Sequence, residues 1–199
     1  MREGIYSKRV GLFFGSFNPI HNGHLILANC FVENTNLDEV WFVVSPHNPL
    51  KDKDSLIDDE IRLNLVKLAI EGNNKFIASD VEFFLNKPSY TFNTLNHLNR
   101  KHSDIEFVLI IGEDNLECFD KWKNYNEILD NYQIYVYPRP NIQAYKFLEY
   151  NNVYLIDAPQ IDISSSYIRQ CIKNKKSIKY LVPENVRLEI EKRNYYCNI

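Results

Sequence analysis

Between two apolar runs, Val10 to Phe14 and Leu25 to Phe31, the chain carries Gly15-Ser16-Phe17-Asn18-Pro19-Ile20-His21-Asn22-Gly23-His24. An apolar run, a loop broken by glycine and proline, and a second apolar run read as strand, tight loop and helix. Two imidazoles, His21 and His24, stand three residues apart where that helix begins. Residues at this spacing share a helix face. A helix start also offers unpaired N–H groups and the positive end of the helix dipole, a combination that draws phosphate. Both histidines can therefore address one phosphate chain. On these residues alone a plainer reading, two surface histidines over an ordinary loop, stays open.

The same alternation continues along the chain. Strands are expected at Val10–Phe14, Val40–Val44, Phe76–Val81, Ile105–Ile111, Ile134–Tyr137 and Val153–Ile156. Helices are expected at Gly23–Asn34, at Asp58–Ile70 with Ile61, Leu65, Leu68 and Ala69 on one face, and from a Thr91 cap to Arg100. Two more are expected at Ser164–Lys173 and from near Pro183 through Arg193. The segments Lys51–Ser55 and Asn141–Asn152 read as irregular. Alternation of this kind predicts an α/β fold, a Rossmann-like doubly wound parallel sheet with flanking helices. Such sheets bind ligands at the carboxyl ends of their strands, where His21 and His24 fall. At 199 residues, without repeats or an evident linker, residues 1–199 are expected to form a single domain.

Composition narrows the function. A formal net charge of −3 gives no support to nucleic-acid binding, and the cluster Lys173, Lys175, Lys176 and Lys179 reads as solvated surface. Cys30, Cys118, Cys171 and Cys197 have spacings that fit neither a zinc site nor a disulfide framework. They are expected to be free thiols in a reducing compartment. The N-terminal residues lack a long apolar stretch and no run is long enough to span a membrane. A cytoplasmic protein with no membrane partner and no metal site of its own is therefore expected.

A second phosphate-type element follows the final strand. In Ile163-Ser164-Ser165-Ser166-Tyr167-Ile168-Arg169, three hydroxyls at a helix start can donate to phosphate oxygens beside free amides. Arg169, one turn inward, can fork two donors onto an anion. Taken alone, a serine cap beside a surface arginine is the stronger reading.

Together the two elements resemble the HxGH nucleotidyltransferases: His21-Asn22-Gly23-His24 matches their histidine motif and Ile163 to Arg169 their I-S-S-[ST]-x-[IV]-R signature. The segments between them resemble nicotinate mononucleotide adenylyltransferases over essentially the whole chain. The matching blocks are Ser45-Pro46-His47-Asn48-Pro49-Leu50-Lys51, Asp80-Val81-Glu82, Pro88-Ser89-Tyr90-Thr91-Phe92-Asn93-Thr94-Leu95, and Ile111-Gly112-Glu113-Asp114-Asn115-Leu116 followed by Phe119 and Trp122. The resemblance implies ATP and nicotinate mononucleotide as substrates, with Mg2+ arriving on ATP. It implies ATP contacts from Gly15, Ser16, Phe17, His21, Gly23, His24, Ser164, Ser165, Ser166 and Arg169, with catalytic roles for His21, His24, Arg169 and Lys51. It implies pyridine-nucleotide contacts from Tyr90, Thr91, Gly112, Asp114 and Trp122.

Some positions depart from the family pattern. Leu50 precedes Lys51 where histidine is frequent, with His47 earlier; Lys123 follows Trp122 where an aromatic residue is frequent; Ser166 and Asn18 replace a frequent threonine and aspartate. Two alternatives remain open from sequence: another transferase of this class, such as one resembling pantetheine-phosphate adenylyltransferase, and a nucleotide sensor without catalysis. Oligomeric state is open as well, a homo-oligomer included.

Overall fold

The structure, a computed structural model, describes residues 7–46, 56–140 and 145–197. Six strands make one parallel sheet in the order β3-β2-β1-β4-β5-β6, with β1 at Lys8–Gly15, β2 at Glu39–Val44, β3 at Phe76–Ser79, β4 at Ile105–Gly112, β5 at Gln133–Tyr137 and β6 at Val153–Leu155. The helices are α1 (Asn22–Asn34), α2 (Asp59–Ala69), α3 (Thr91–Lys101), α4 (Glu113–Glu117), α5 (Tyr125–Asn131), α6 (Ser165–Lys173) and α7 (Glu184–Arg193). The expected α/β sheet with flanking helices is thus observed, and its order reverses direction beside β1, after which the histidine loop begins.

The chain packs as two compact units. The first comprises Met1–Phe14, Leu27–Trp41 and Tyr90–Gln160. Its centre is β4, parallel to β1 on one side (Val10 with Phe107, Leu12 with Leu109) and to β5 on the other (Ile110 with Tyr135). A strand buried on both faces reads as a continuous apolar run, and Phe107 to Ile111 are all buried. Ala28 and Phe31 of α1, Leu95 and Leu98 of α3, and Ile128 and Leu129 of α5 complete this core.

The second unit comprises Gly15–Ile26, Phe42–Ser89 and Ile161–Ile199. Asp58 caps α2 by accepting from the N–H groups of Glu60 (2.9 Å) and Ile61 (3.3 Å). The buried face of α2 is Arg62, Leu63, Leu65 and Val66, rotated from the expected Ile61, Leu65, Leu68, Ala69 face. An apolar-periodicity reading passes over a charged residue, yet Arg62 is 0% exposed. Its Nε donates to Ile57 O (3.0 Å), Nη1 to Ser16 O and Ser45 O (2.9 Å to the latter), and Nη2 to Pro46 O (3.3 Å) and Asp59 Oδ1. A guanidinium has five N–H donors, and here each meets an acceptor.

Several boundaries differ from expectation. β1 is longer at both ends; at its start, parallel pairing with β4 carries it back to Lys8, ahead of the apolar run. The expected Phe76–Val81 strand ends at Ser79 and is followed by a 3₁₀ turn, Val81–Phe84. Tyr90, not Thr91, occupies the cap position of α3. The short helices α4 and α5 were not expected; five and seven residues show too few turns for a periodic signal. Within the expected irregular stretch Asn141–Asn152 a 3₁₀ turn forms at Tyr145–Phe147, and Lys51–Ser55 lies outside the described residues.

Removing the buried guanidinium leaves four carbonyls and one carboxylate without their donors. Arg62→Ala is expected to lower unfolding free energy by about 3–5 kcal/mol, as breaking a buried ionic network does. A urea titration checks this; a loss below about 1 kcal/mol would mean that other donors replace it.

Candidate active site

Gly15 ends β1 and its carbonyl accepts the Ser45 N–H at 2.9 Å. Phe17 follows in the left-handed region, at φ 44°, an uncommon conformation for a bulky residue. Its ring, 2% exposed, lies edge-on to Phe42 (5.6 Å) and His24 (5.1 Å). Burial of that ring offsets the local backbone strain, which is the usual condition for strain to persist at a site. The Asn18–Pro19 peptide is cis.

His21 is 5% exposed, and its ring stacks on His24 with centroids 3.6 Å apart and planes 21° from parallel. The His21 backbone N–H donates to His24 Nδ1 at 3.3 Å. In this bond Nδ1 is the acceptor, which leaves Nε2 as the ring nitrogen available to donate. Gly23 makes the stack fit. A Cβ there would sit 3.0 Å from His21 Nδ1 and 3.2 Å from Ile161 Cγ2.

The serine–arginine element belongs to the same unit. Ser164 caps α6, its Oγ accepting the Tyr167 N–H at 3.1 Å. Ser165 Oγ donates to Pro19 O at 2.9 Å. Arg169 Nη1 donates to Asn18 O at 2.8 Å and its Nη2 to Ser166 Oγ at 3.3 Å. The two elements read separately from sequence are therefore stapled together through Asn18 and Pro19. Two of the serine hydroxyls have partners within the chain. Ser164 is an acceptor in a cap, and the single hydroxyl proton of Ser165 goes to a carbonyl. Arg169 is partly desolvated: burial draws its pKa down from the ordinary value, opposed by Tyr196. A guanidinium stays charged through such a shift.

Tyr196 carries no sequence signal and is 2% exposed. Its hydroxyl has no hydrogen-bond partner among the described residues. Burial pushes its pKa upward, while Arg62 and Arg169 pull it down. It thus packs a phenol beside the guanidinium groups of Arg62 and Arg169. Lys51 and His47 lie outside the described residues.

Tyr90, Thr91, Gly112, Asp114 and Trp122 fall in the first unit. Tyr90 is the cap residue of α3 and makes no capping side-chain bond, so its side chain gives the first-turn amides no acceptor. Lys123 Nζ stands 4.6 Å above the Tyr90 ring. Trp122 is half-buried, at the end of a 3₁₀ turn (Phe119–Lys121), with its ring 5.1 Å from Phe119. Phe119 is itself enclosed by Tyr125 and Phe147.

Asp114 opens α4, and its Oδ1 accepts from Arg139 Nε at 3.3 Å. The guanidinium also lies 5.0 Å over the Tyr137 ring, and the Arg139 backbone N–H donates to Glu113 Oε2 at 3.1 Å. Burial raises the Tyr137 pKa and Arg139 counteracts it. Glu113 and Arg139 were missed from sequence, because their link joins α4 to the residues just beyond β5 and no local pattern announces it.

The four cysteines are free. Among the described residues no group of three or more His, Cys, Asp or Glu is placed to hold a metal ion, and no helix is long and apolar enough to cross a membrane.

A parallel sheet with this order, followed by a histidine-bearing helix start and a serine–arginine helix start, defines a nucleotidyltransferase-type α/β protein. In keeping with that, the cytidylyltransferase-like family matches residues 12–171. A relative from Flavobacterium psychrophilum, described as a "probable nicotinate-nucleotide adenylyltransferase", is 54% identical over 190 residues, covering 94% of this chain and 98% of its own. One from Cytophaga hutchinsonii with the same description is 53% identical over 190 residues, covering 96% and 99%. The chain belongs to the nicotinate-nucleotide adenylyltransferase family. In fold it is similar to the solved Plasmodium falciparum nicotinic acid mononucleotide adenylyltransferase complexed with NaAD, with a TM-score of 0.80 at 20% identity over 95% of this chain and 97% of that one.

Gly112 tests the Asp114 arrangement. A Cβ at this position would lie 2.3 Å from Asp114 Oδ1 and 2.9 Å from the Tyr137 ring. Gly112→Ala is expected to push the carboxylate off Arg139 and to lower stability by about 1–3 kcal/mol, as overpacking does. Thermal unfolding reads this out; an unchanged midpoint would mean that Tyr137 shifts freely.

Proposed function

We propose that this chain transfers the adenylyl group of ATP to nicotinate mononucleotide, giving nicotinate adenine dinucleotide (deamido-NAD) and pyrophosphate, a step of NAD biosynthesis. We also propose that it works as one nucleotidyltransferase domain in the cytoplasm. The observation that carries the reading is the stapled pair of elements. The stacked His21–His24 imidazoles and the Arg169 guanidinium share the short stretch from Asn18 to His24 as their base, in a chain more than half identical to relatives described by that activity.

The reaction is an in-line displacement. An oxygen of the mononucleotide 5′-phosphate forms a bond to the α-phosphorus of ATP as the bond to the bridging oxygen breaks, and the electron pair leaves with pyrophosphate. The nucleophile is an anion at neutral pH, so no general base is required. Catalysis rests on positioning and on stabilising charge. His24, through Nε2, donates to the α-phosphate as charge builds, and His21 holds the adjoining phosphate. Arg169 keeps guanidinium donors beyond those given to Asn18 and Ser166; these, with the first-turn amides of α6, hold the β- and γ-phosphates. Gly15, Ser16, Phe17 and Gly23 let the backbone approach the nucleotide. Lys51 is assigned to the phosphates by family resemblance. Mg2+ enters as part of the Mg-ATP substrate, coordinated by phosphates and water.

For the acceptor, Trp122 offers a flat indole, held by Phe119, to the pyridine ring. The first turn at Tyr90 and Thr91, uncapped by the Tyr90 side chain, suits the nicotinate carboxylate, since a helix start stabilises an anion. Asp114, behind Gly112, accepts from a ribose hydroxyl.

The test is pyrophosphate release from Mg-ATP with nicotinate mononucleotide, nicotinamide mononucleotide or phosphopantetheine as acceptor. Release that prefers nicotinate mononucleotide is expected; release with phosphopantetheine alone would overturn the roles of Tyr90, Thr91 and Trp122. His24→Ala is expected to lower turnover by roughly 10²-fold or more at saturating substrate. Undiminished turnover would remove His24 from the transition state.

A further inference from the structure

The proposed pyridine site holds one full positive charge that the assignments above leave unused. Lys123 is exposed, follows Trp122 directly, and carries its ammonium 4.6 Å above the Tyr90 ring. A cation over an aromatic face is held there by the ring quadrupole, so this long side chain has a preferred place instead of sweeping through solvent. Its chain neighbours support that placement. Asn124 turns the backbone through the left-handed region at φ 56° before α5 begins.

Nearby carboxylates do not neutralise it. Asp120 is paired with Lys146 at 2.6 Å, Glu127 accepts from the side chain of Asn124, and among the described residues none forms an ion pair with Lys123. The ammonium therefore keeps N–H donors for an anion from outside the chain. Tyr90, over which it stands, is the residue that opens α3.

We propose that Lys123 is a specificity-determining residue for the pyridine substituent, its ammonium pairing with the ring carboxylate of nicotinate mononucleotide beside Tyr90. The proposal rests on the adenylyltransferase reading and sharpens it. Nicotinate and nicotinamide mononucleotides have the same ring, ribose and phosphate, so stacking on Trp122 cannot separate them. They differ by one unit of charge at the substituent. A carboxylate gains a charge-assisted hydrogen bond from the ammonium; the neutral amide gains little.

The measurement is kcat/KM for both mononucleotides at saturating Mg-ATP, at low and high salt, for the wild type, Lys123→Gln and Lys123→Arg. Lys123→Gln is expected to lose roughly 10-fold of the preference for nicotinate mononucleotide. The loss should lie in the nicotinate mononucleotide KM, with kcat and the ATP KM unchanged. Lys123→Arg is expected to restore most of it. The wild-type preference should shrink as salt rises, through screening, while that of Lys123→Gln should not. An unmoved ratio, or an equal loss with both acceptors, would overturn the proposal while leaving the adenylyltransferase reading intact. A wild-type protein that uses neither mononucleotide would overturn both.

Discussion

The second unit depends on one buried guanidinium. Arg62 reaches from the first turn of α2 to the carbonyls of Ser16, just past β1, and of Ser45 and Pro46, just past β2. Strand ends leave carbonyls with no ladder partner, and burying them unpaired would be costly. One arginine satisfies three of them together with Ile57 O and the Asp59 carboxylate. The charge is tolerated at full burial because every N–H has an acceptor and the counter-ion is on the same helix. Fixing Ser16 O fixes where the histidine loop begins, and so where Phe17 makes its strained turn.

From that origin, order passes to the histidines and arginine of the candidate site by short links. Phe17 is locked by its buried ring, Pro19 and Asn18 receive donors from α6, and His21 and His24 stack over Gly23. Each link is a neutral or singly charged hydrogen bond or a ring contact of modest strength. Their value lies in leaving each group little freedom before substrate arrives, which is the physical content of preorganisation.

Much of this was legible in the sequence because it is local. The strand–loop–helix at Val10 to Phe31, the serine cap at Ser164 and the alternation that makes a parallel sheet follow from periodicity and turn chemistry within a few residues. What escaped was distant or masked by residue type. Arg62 sits at an α2 position where an apolar reading expects no core residue. The Glu113–Arg139 link spans 26 residues, and Tyr196 comes from far along the chain. Even where a position was legible, its distant hydrogen-bond partner was not. Ser165 stands at the expected helix start, and its hydroxyl proton goes to the Pro19 carbonyl, a partner that no local pattern encodes.

The second unit is assembled from three stretches of chain separated by parts of the first. Tyr196, buried beside Arg62 and Arg169, belongs to the last of them. During synthesis the histidine loop emerges well before the residues that staple and cover it. A nascent chain thus carries its histidine motif long before it can organise it, and an interrupted chain lacks α6, Arg169 and the Tyr196 phenol together. The histidine loop thus draws its order from partners 146 and 151 residues further along the chain, so its arrangement is a property of the assembled unit and not of the segment that carries the motif.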